Sequence, residues 1–521
     1  MELYVLLLVI STLLLATYIF HEISNALFTK NKNLPPGPNG LPLIGSLITI
    51  RHRTHQSLAK LAKTYGPLMT IKLGFINVVV ASSAEMAKEI LQKHDAEFVG
   101  RPIPDAVTAE KGYELAFPWL PTGPQWRKLR KIFKSHIFMA QKLDSLRHLR
   151  HDVVKTLVER VAEAQESGKA IYIGEIVFST MMKLLSKTLF SADMLDPTSD
   201  AMKELQPNLA DYFPFLRPFD PQGIRRKIRV SYDRLHELID DMIDQRMKHR
   251  SAASERSGDL LDIILDYTEH EGPDGLTRLD VKLLIVEIFI AGTDTSTSTV
   301  EWVMAELLHN PTILSKAKQE LSEIMTPGGI VQEQDITRLP YLTAVIKETM
   351  RMHQTSPLLL PHRAEQDVEI QGYTIPKHTR IWVNAWSISR DATYWEKSTC
   401  FMPERFLNVD IDFRGNDFKF TPFSAGRRIC PGMNLAVRMV ALIVANLIKT
   451  FDWKLPNGMA PEDMDMTEKF GVTLRKAEPL VAIPRRALLS PQSQVGVQTS
   501  RARARAPLLE LQLGELRILG K

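Results

Sequence analysis

The chain has 521 residues, 44% of them hydrophobic, which is enough to bury a large core. Its two cysteines, Cys400 and Cys430, exclude a disulfide framework and a multi-cysteine zinc site, so a reducing compartment is the default. A net charge of +5, with no basic stripe interleaved with aromatics, argues against nucleic acid as a partner. In chain order, residues 3–20, LYVLLLVISTLLLATYIF, are eighteen positions without a charge, about the minimum that crosses a bilayer core. Glu2 precedes this run, and Lys30 and Lys32 follow it. The positive-inside rule therefore places the N-terminus away from the cytosol and the bulk of the chain within it. Residues 1–21 read as a single membrane anchor.

Residues 22–45 read as a linker and hinge, since NLPPGPNGLPLIG holds four prolines and three glycines, which forbid helix. LMTIKL and INVVVA, separated by Gly74 and Phe75, predict a β-hairpin. A capping box from Ser82 to Glu85 predicts a helix start in SSAEMAKEILQKH. From about 125 to 350 the pattern is mostly helical, with loops at 196–200 and 271–275. Strand-like runs return in IQGYTIPKHTRIWVN. With no repeat and no internal linker, 35–486 reads as one mainly α domain with minor β-sheet. Residues 487–521, with an alternating Arg-Ala run, read as an unstructured tail.

Four stretches carry chemistry. In PQWRKLRK, Trp126 and Arg130 are four apart and share a helix face. In IFIAGTDTSTSTVEW, Gly292 and six Thr or Ser residues are weak helix formers between two good helical flanks. This predicts a long helix locally opened, placing Asp294 and Thr295 where an acid beside an alcohol relays protons. Small Ala291 and Gly292 leave room there for dioxygen and substrate. In KETMRMH, Glu348 and Arg351 can pair across one turn. The last stretch is PFSAGRRICPG. A lone cysteine is usually a small buried hydrophobe. Here Gly426 and Gly432 let the backbone turn closely, while Arg427, Arg428 and the N-terminus of the next helix favour a thiolate. Such a loop suits a cysteine that binds haem iron.

Phe423, Gly426, Arg428, Cys430 and Gly432 stand in the register F-x-x-G-x-R-x-C-x-G. With A-G-x-D-T, E-x-x-R, P-E-R-F and W-x-x-x-R elsewhere, the chain resembles the cytochrome P-450 family over 35–486. LPPGPNGLPLIG, ADYFPFLRPFDPQGIRRK, AGTDTSTSTVEW and DMTEKFGVTLRKAEPL are similar to a plant microsomal group that includes geraniol 8-hydroxylase and ferruginol synthase. The resemblance implies haem b with Cys430 as its axial ligand, and cofactor contacts from Ala291, Phe423, Gly426, Arg428 and Gly432. Trp126, Arg130, His362 and Arg428 would meet the propionates. Asp294 and Thr295 would be the catalytic pair, and Glu348, Arg351 and Arg405 a buried charge network. The substrate pocket would be lined by Phe289, Gly292, Pro357, Leu358, Leu359, Phe470, Gly471 and Val472.

No Gly-rich nucleotide motif follows a strand, so electrons would come from NADPH through a separate membrane-bound reductase. Lys128, Lys131 and Arg427 are candidates for its docking face. The implied activity is hydroxylation, with molecular oxygen, of a lipophilic metabolite, foremost a mono- or diterpenoid, at the cytosolic face of the endoplasmic reticulum membrane. Alternatives are the same chemistry on a phenolic or alkaloid substrate, an oxygen-independent isomerase, and a non-catalytic haem binder. One departure stands out: relatives read H-P-P where this chain reads His353, Gln354 and Thr355.

Overall fold

The computed structural model describes residues 33–486 except 52, 193–207, 253–257, 269–274 and 325–328, with scattered positions between 4 and 19. Of the expected anchor, eleven scattered positions between 4 and 19 are described, all of them helical. The 487–521 tail, the 196–200 loop and all but Gly275 of the 271–275 loop fall outside the described residues.

The body is mainly helical. Helices α1 (Pro124–Ile132), α2 (Arg147–Glu166), α3 (Ile173–Phe190) and α4 (Ile224–Ala252) precede the longest one, α5 (Arg278–His309). Thr277 starts α5 with a reciprocal cap: its hydroxyl accepts the amide of Asp280, whose carboxylate accepts the Thr277 amide. Two of the four amides that open a helix are thereby satisfied. Pro311, just beyond Asn310, cannot continue α5 because it lacks an N–H. Two further helices, α6 (Pro340–Met352) and α7 (Met433–Thr450), pack against α5, and α3 covers another of its sides. Trp302, in the C-terminal third of α5, is fully buried, and truncation there would cost about 3–5 kcal/mol. Helices α5 and α7 are long and apolar enough to cross a membrane, yet both are largely buried inside the body.

The predicted hairpin forms as β1 (Leu68–Leu73) and β2 (Ile76–Ala81), antiparallel with Leu68 opposite Ala81 and Leu73 opposite Ile76. Strands β3 (His362–Arg363) and β4 (Arg380–Val383) complete a sheet of order β1-β2-β4-β3, with β2 and β4 parallel. A small hairpin, β5 (Glu468–Lys469) with β6 (Arg475–Lys476), packs β6 on α5. The last strand, Val481–Arg486, pairs with both Ile171–Tyr172 and Phe451–Lys454.

Two expectations need correction. The helix after β2 is capped by Ser83, not Ser82: the Ser83 hydroxyl accepts the Met86 amide, and the helix begins at Ala84. More consequentially, α5 is unbroken through its Thr/Ser stretch. Thr295 and Thr299 donate their hydroxyls to the carbonyls of Ala291 and Thr295, at 2.7 and 2.8 Å. Bonding back to the fourth residue before satisfies the hydroxyl without displacing the backbone amide, so the helix need not open.

Candidate active site

Residues 422–432 form a loop ahead of α7. The Cys430 amide donates to the Phe423 carbonyl at 3.0 Å, closing the turn. Gly426 has φ +69°, and a Cβ there would stand 1.9 Å from the Leu91 carbonyl oxygen, so only glycine fits. Gly432 has no such constraint; its amide and that of Met433 point at the Cys430 sulfur. Burial pushes the thiol pKa up, while the Gly432 amide, the charge of Arg130 and the Met433 amide pull it down. The arginine that acts on the sulfur is therefore Arg130, from α1. Arg427 turns outward to Asp95 at 3.0 Å, and Arg428 donates to the carbonyls of Val99 and Leu120 at 3.1 and 2.7 Å.

Beside this loop lies a group of buried donors. Arg130 donates to the Ile429 carbonyl at 2.7 Å, and the Arg428 guanidinium sits 5.0 Å over the Trp126 ring. Trp126 Nε1 is buried without a partner. His362 meets the Phe98 carbonyl at 2.7 Å through Nδ1, while its Nε2 has no partner. Arg101 binds the Leu360 and Pro361 carbonyls with Nη1 and leaves a buried Nε unmet. Burial, with Arg428 nearby, lowers Arg101 to about 9; burial, with Arg130 nearby, lowers Arg428 to about 10. Burial also holds His362 well below its ordinary value, aided by Arg101 and Arg428. With Nδ1–H given to a carbonyl, Nε2 can donate only from a protonated ring, which an arriving anion would favour. A desolvated cation cluster with unmet donors suits a ligand carrying carboxylates, as haem does through its propionates. The residues present fit haem. Arg101 was missed in the sequence, because a lone Arg before Pro102 carries no spacing signal.

Above the loop, Thr295, Ser296 and Thr299 of α5 line a small cavity of about 30 Å³ with Met350, Thr355, Pro422, Phe423, Ala436 and Val440. Along the middle of α5 the accessible positions are Glu287, Ile290, Ala291, Gly292 and Thr295, and their neighbours are buried. Asp294, one residue before Thr295, points about 100° away and pairs with Arg475 of β6 at 2.5 Å. Ser298 donates to the Leu474 carbonyl at 2.8 Å and helps hold that hairpin on α5.

The expected pocket residues divide. Phe289 is fully buried and stacks on Phe190 at 6.1 Å. Two residues from Ala291 is about 200° around a helix, which turns Phe289 away from the accessible face and corrects its placement in the pocket. Gly292 is partly accessible, and a Cβ there would stand 3.2 Å from Leu185 Cδ1, a tight approach of α3 at this position. Leu358 and Leu359 are buried in separate apolar clusters, and the Pro357 carbonyl accepts the Trp386 amide. Phe470 stacks on His55 at 5.5 Å, Gly471 follows it in the β5–β6 turn, and Val472 is exposed. In the Gln354–Thr355 departure, Gln354 is buried and accepts the Ser389 hydroxyl at 3.0 Å. Thr355 takes the Leu474 amide on its carbonyl at 2.8 Å.

Glu348 and Arg351 are fully buried and doubly bonded, at 2.7 and 2.8 Å. Arg405 adds a bond to Glu348 at 3.0 Å, and Arg351 also reaches the Ser389 and Ser398 carbonyls. This network lies under α6, behind the loop, and fixes backbone instead of facing the cavity. Of the proposed docking cations, Lys128 is turned to the Gly275 carbonyl and Arg427 to Asp95, while Lys131 is exposed.

Comparison with known proteins gives a match to the family model Cytochrome P450 over residues 35–481. Geraniol 8-hydroxylase from Swertia mussotii is 45% identical over 481 residues, covering 90% of this chain and 97% of that protein. The 7-ethoxycoumarin O-deethylase of Helianthus tuberosus is 43% identical, covering 92% and 99%. Drimenol monooxygenase of Persicaria hydropiper is 42% identical, covering 88% and 93%.

Proposed function

The chain belongs to the cytochrome P450 family, and from that membership we propose that it inserts one atom of dioxygen into a lipophilic plant metabolite, foremost a mono- or diterpenoid. Electrons would come from NADPH through a separate flavoprotein reductase. The observation that carries the reading is a partly buried thiol, Cys430, beside the cations Arg101, Arg130 and Arg428, which form no ion pair among the described residues. Likeness to a geraniol 8-hydroxylase and a drimenol monooxygenase supports the terpenoid class. Likeness to a 7-ethoxycoumarin O-deethylase supports the same chemistry on an aromatic substrate as the second reading.

Bound haem with a thiolate ligand supplies dioxygen activation and favours O–O cleavage. The chain's own part is holding and proton supply. Cys430 would take the iron, with its sulfur fixed by the Gly432 and Met433 amides. Arg101, Trp126, Arg130, His362 and Arg428 would hold the propionates. Thr295 presents a hydroxyl on the accessible face of α5, and Asp294 is the buried acid beside it. Thr295 Oγ1 is the group placed to pass a proton onward, and Asp294, held by Arg475 in this structure, would have to leave that pair to resupply it.

Membrane placement is part of the reading. Phe75, Phe213 and Phe215 form an aromatic cluster with centroids 5.8–6.1 Å apart. Phe215 and Phe219 are exposed, as are Leu41 and Ile48. This apolar surface adjoins the stretch where the chain arrives from residues 1–21, which supports anchoring to the endoplasmic reticulum with the body on the cytosolic side.

The test is reconstitution of the full chain in lipid vesicles with a flavoprotein reductase, NADPH and oxygen. Mono- and diterpenoids should draw substrate-dependent NADPH consumption and yield hydroxylated product. Cys430→Ala should lack both the activity and the red-shifted band of the ferrous carbonyl form. Absence of substrate-dependent consumption across terpenoid and phenolic panels would remove the monooxygenase reading.

A further inference from the structure

Glu287, Ala291 and Thr295 are four residues apart in turn, so they form one row along α5. All three are accessible where most of the helix is buried. Thr295 looks onto the reacting centre, and Glu287 continues the same row about 12 Å further along, at 1.5 Å per residue.

Glu287 Oε1 accepts the Phe117 amide at 2.6 Å, but its Oε2 is buried and meets no donor. Glu110 approaches from the loop preceding α1. It is only 4% exposed, and its Oε1 makes no hydrogen bond, although His236 Nε2 of α4 lies 3.4 Å away. Two buried acids with unmet oxygens cost folding free energy that leucines would not. Burial, reinforced by the charge of Glu110 and only partly offset by the Phe117 amide, holds Glu287 well above the usual carboxylate range. Burial thus favours its protonated form, which can both donate and accept a hydrogen bond.

We propose that Glu287, backed by Glu110, is a polar subsite that binds the hydroxyl of an otherwise apolar substrate and so selects which carbon lies beside Thr295. The proposal rests on the monooxygenase reading and narrows it to metabolites carrying an alcohol at one end. A neutral carboxyl and an alcohol satisfy each other in both directions. A hydrocarbon leaves the acids unmet, and a carboxylate is opposed by the charge of Glu110. Oxidation then falls on a carbon remote from the hydroxyl, because the subsite and Thr295 are two turns apart.

The experiment is optical titration of the haem-loaded full chain with geraniol, with drimenol, and with the hydrocarbon that replaces each hydroxyl by hydrogen. Wild type should bind each alcohol about ten- to hundredfold more tightly than its hydrocarbon. Glu287→Leu should lose that preference through weaker alcohol binding, with hydrocarbon affinity unchanged. Glu287→Gln, which still accepts the Phe117 amide and still donates, should keep most of it. Glu287→Met serves the same purpose if Glu287→Leu does not hold haem. Where product forms, the leucine variant should scatter the position of oxidation. Wild type without a preference for alcohols overturns the proposal. Equal weakening of alcohol and hydrocarbon also overturns it, since that marks a clamp on Phe117 alone. Tighter binding of geranylamine than of geraniol overturns it in favour of a cation site. Alcohol binding without turnover would count against the monooxygenase reading while leaving the subsite standing.

Discussion

Arg101, Arg130 and Arg428 crowd together with no ion pair among the described residues and only Glu365 acting on Arg428 from a distance, an arrangement that an arriving anion would relieve. The haem propionates are the proposed anion, so each arginine would contribute to cofactor retention as well as to position. Arg101→Leu should lower haem affinity about ten- to hundredfold, the usual consequence of losing a charge-assisted bond in a buried site. Transfer of haem to an excess of apomyoglobin measures this, and unchanged transfer would remove Arg101 from the site. At this scale Cys430, Trp126 and Arg130 were legible, because motif spacing marks them. Arg101 was not, since only folding brings it to His362 and Arg428. The reading of Arg427 as a partner of the thiolate misjudged direction: neighbours in the chain can point to opposite sides of a turn.

Helix α5 shows what periodicity decides and what composition does not. The Thr/Ser stretch suggested an opening, but Thr295 and Thr299 bond back to carbonyls of their own helix, Ser298 reaches the Leu474 carbonyl, and the cylinder stays whole. Register then sorts the residues: Thr295 faces the cavity, Asp294 the β5–β6 hairpin, Phe289 the core. Short strands and caps were legible to within a residue, because turn residues and capping chemistry are local. The accessible stripe was not, because it depends on which neighbours cover each side of the helix. Thr295→Ala removes the hydroxyl without disturbing the backbone. It should divert NADPH into hydrogen peroxide and lower product yield per NADPH several-fold, while substrate binding stays close to wild type. Measuring peroxide against product checks this, and unchanged coupling would take Thr295 out of proton delivery.

On the scale of the whole molecule, one buried carboxylate ties distant parts together. Glu468 of β5 bonds His55 at 3.0 Å and Trp386 and Arg390 at 3.2 Å, and His353 lies 3.6 Å away. His353 in turn bonds Glu306 of α5 at 2.6 Å and stacks on Trp302 at 3.7 Å. Burial alone would raise the Glu468 pKa, but bonds from His353 and His55 and the charge of Arg390 hold it far below the usual range. A depressed carboxyl stabilises the native state above its unfolded pKa, near 4.5, and that stability drains away as pH falls below it. Glu468→Gln should therefore lose about 3–5 kcal/mol at pH 7, and its melting-temperature deficit should shrink steadily below about pH 4.5. Calorimetry of both proteins across pH would show it, and a deficit independent of pH would assign the loss to packing.

The His55–Glu468 bond spans 413 residues, and the closing strand Val481–Arg486 lies still later in the chain. On the ribosome, then, the helix bearing His55 waits for almost the entire polypeptide before its partner exists. Native closure is necessarily a late event in synthesis, so stop codons or frameshifts before residue 468 leave an open body with apolar faces uncovered.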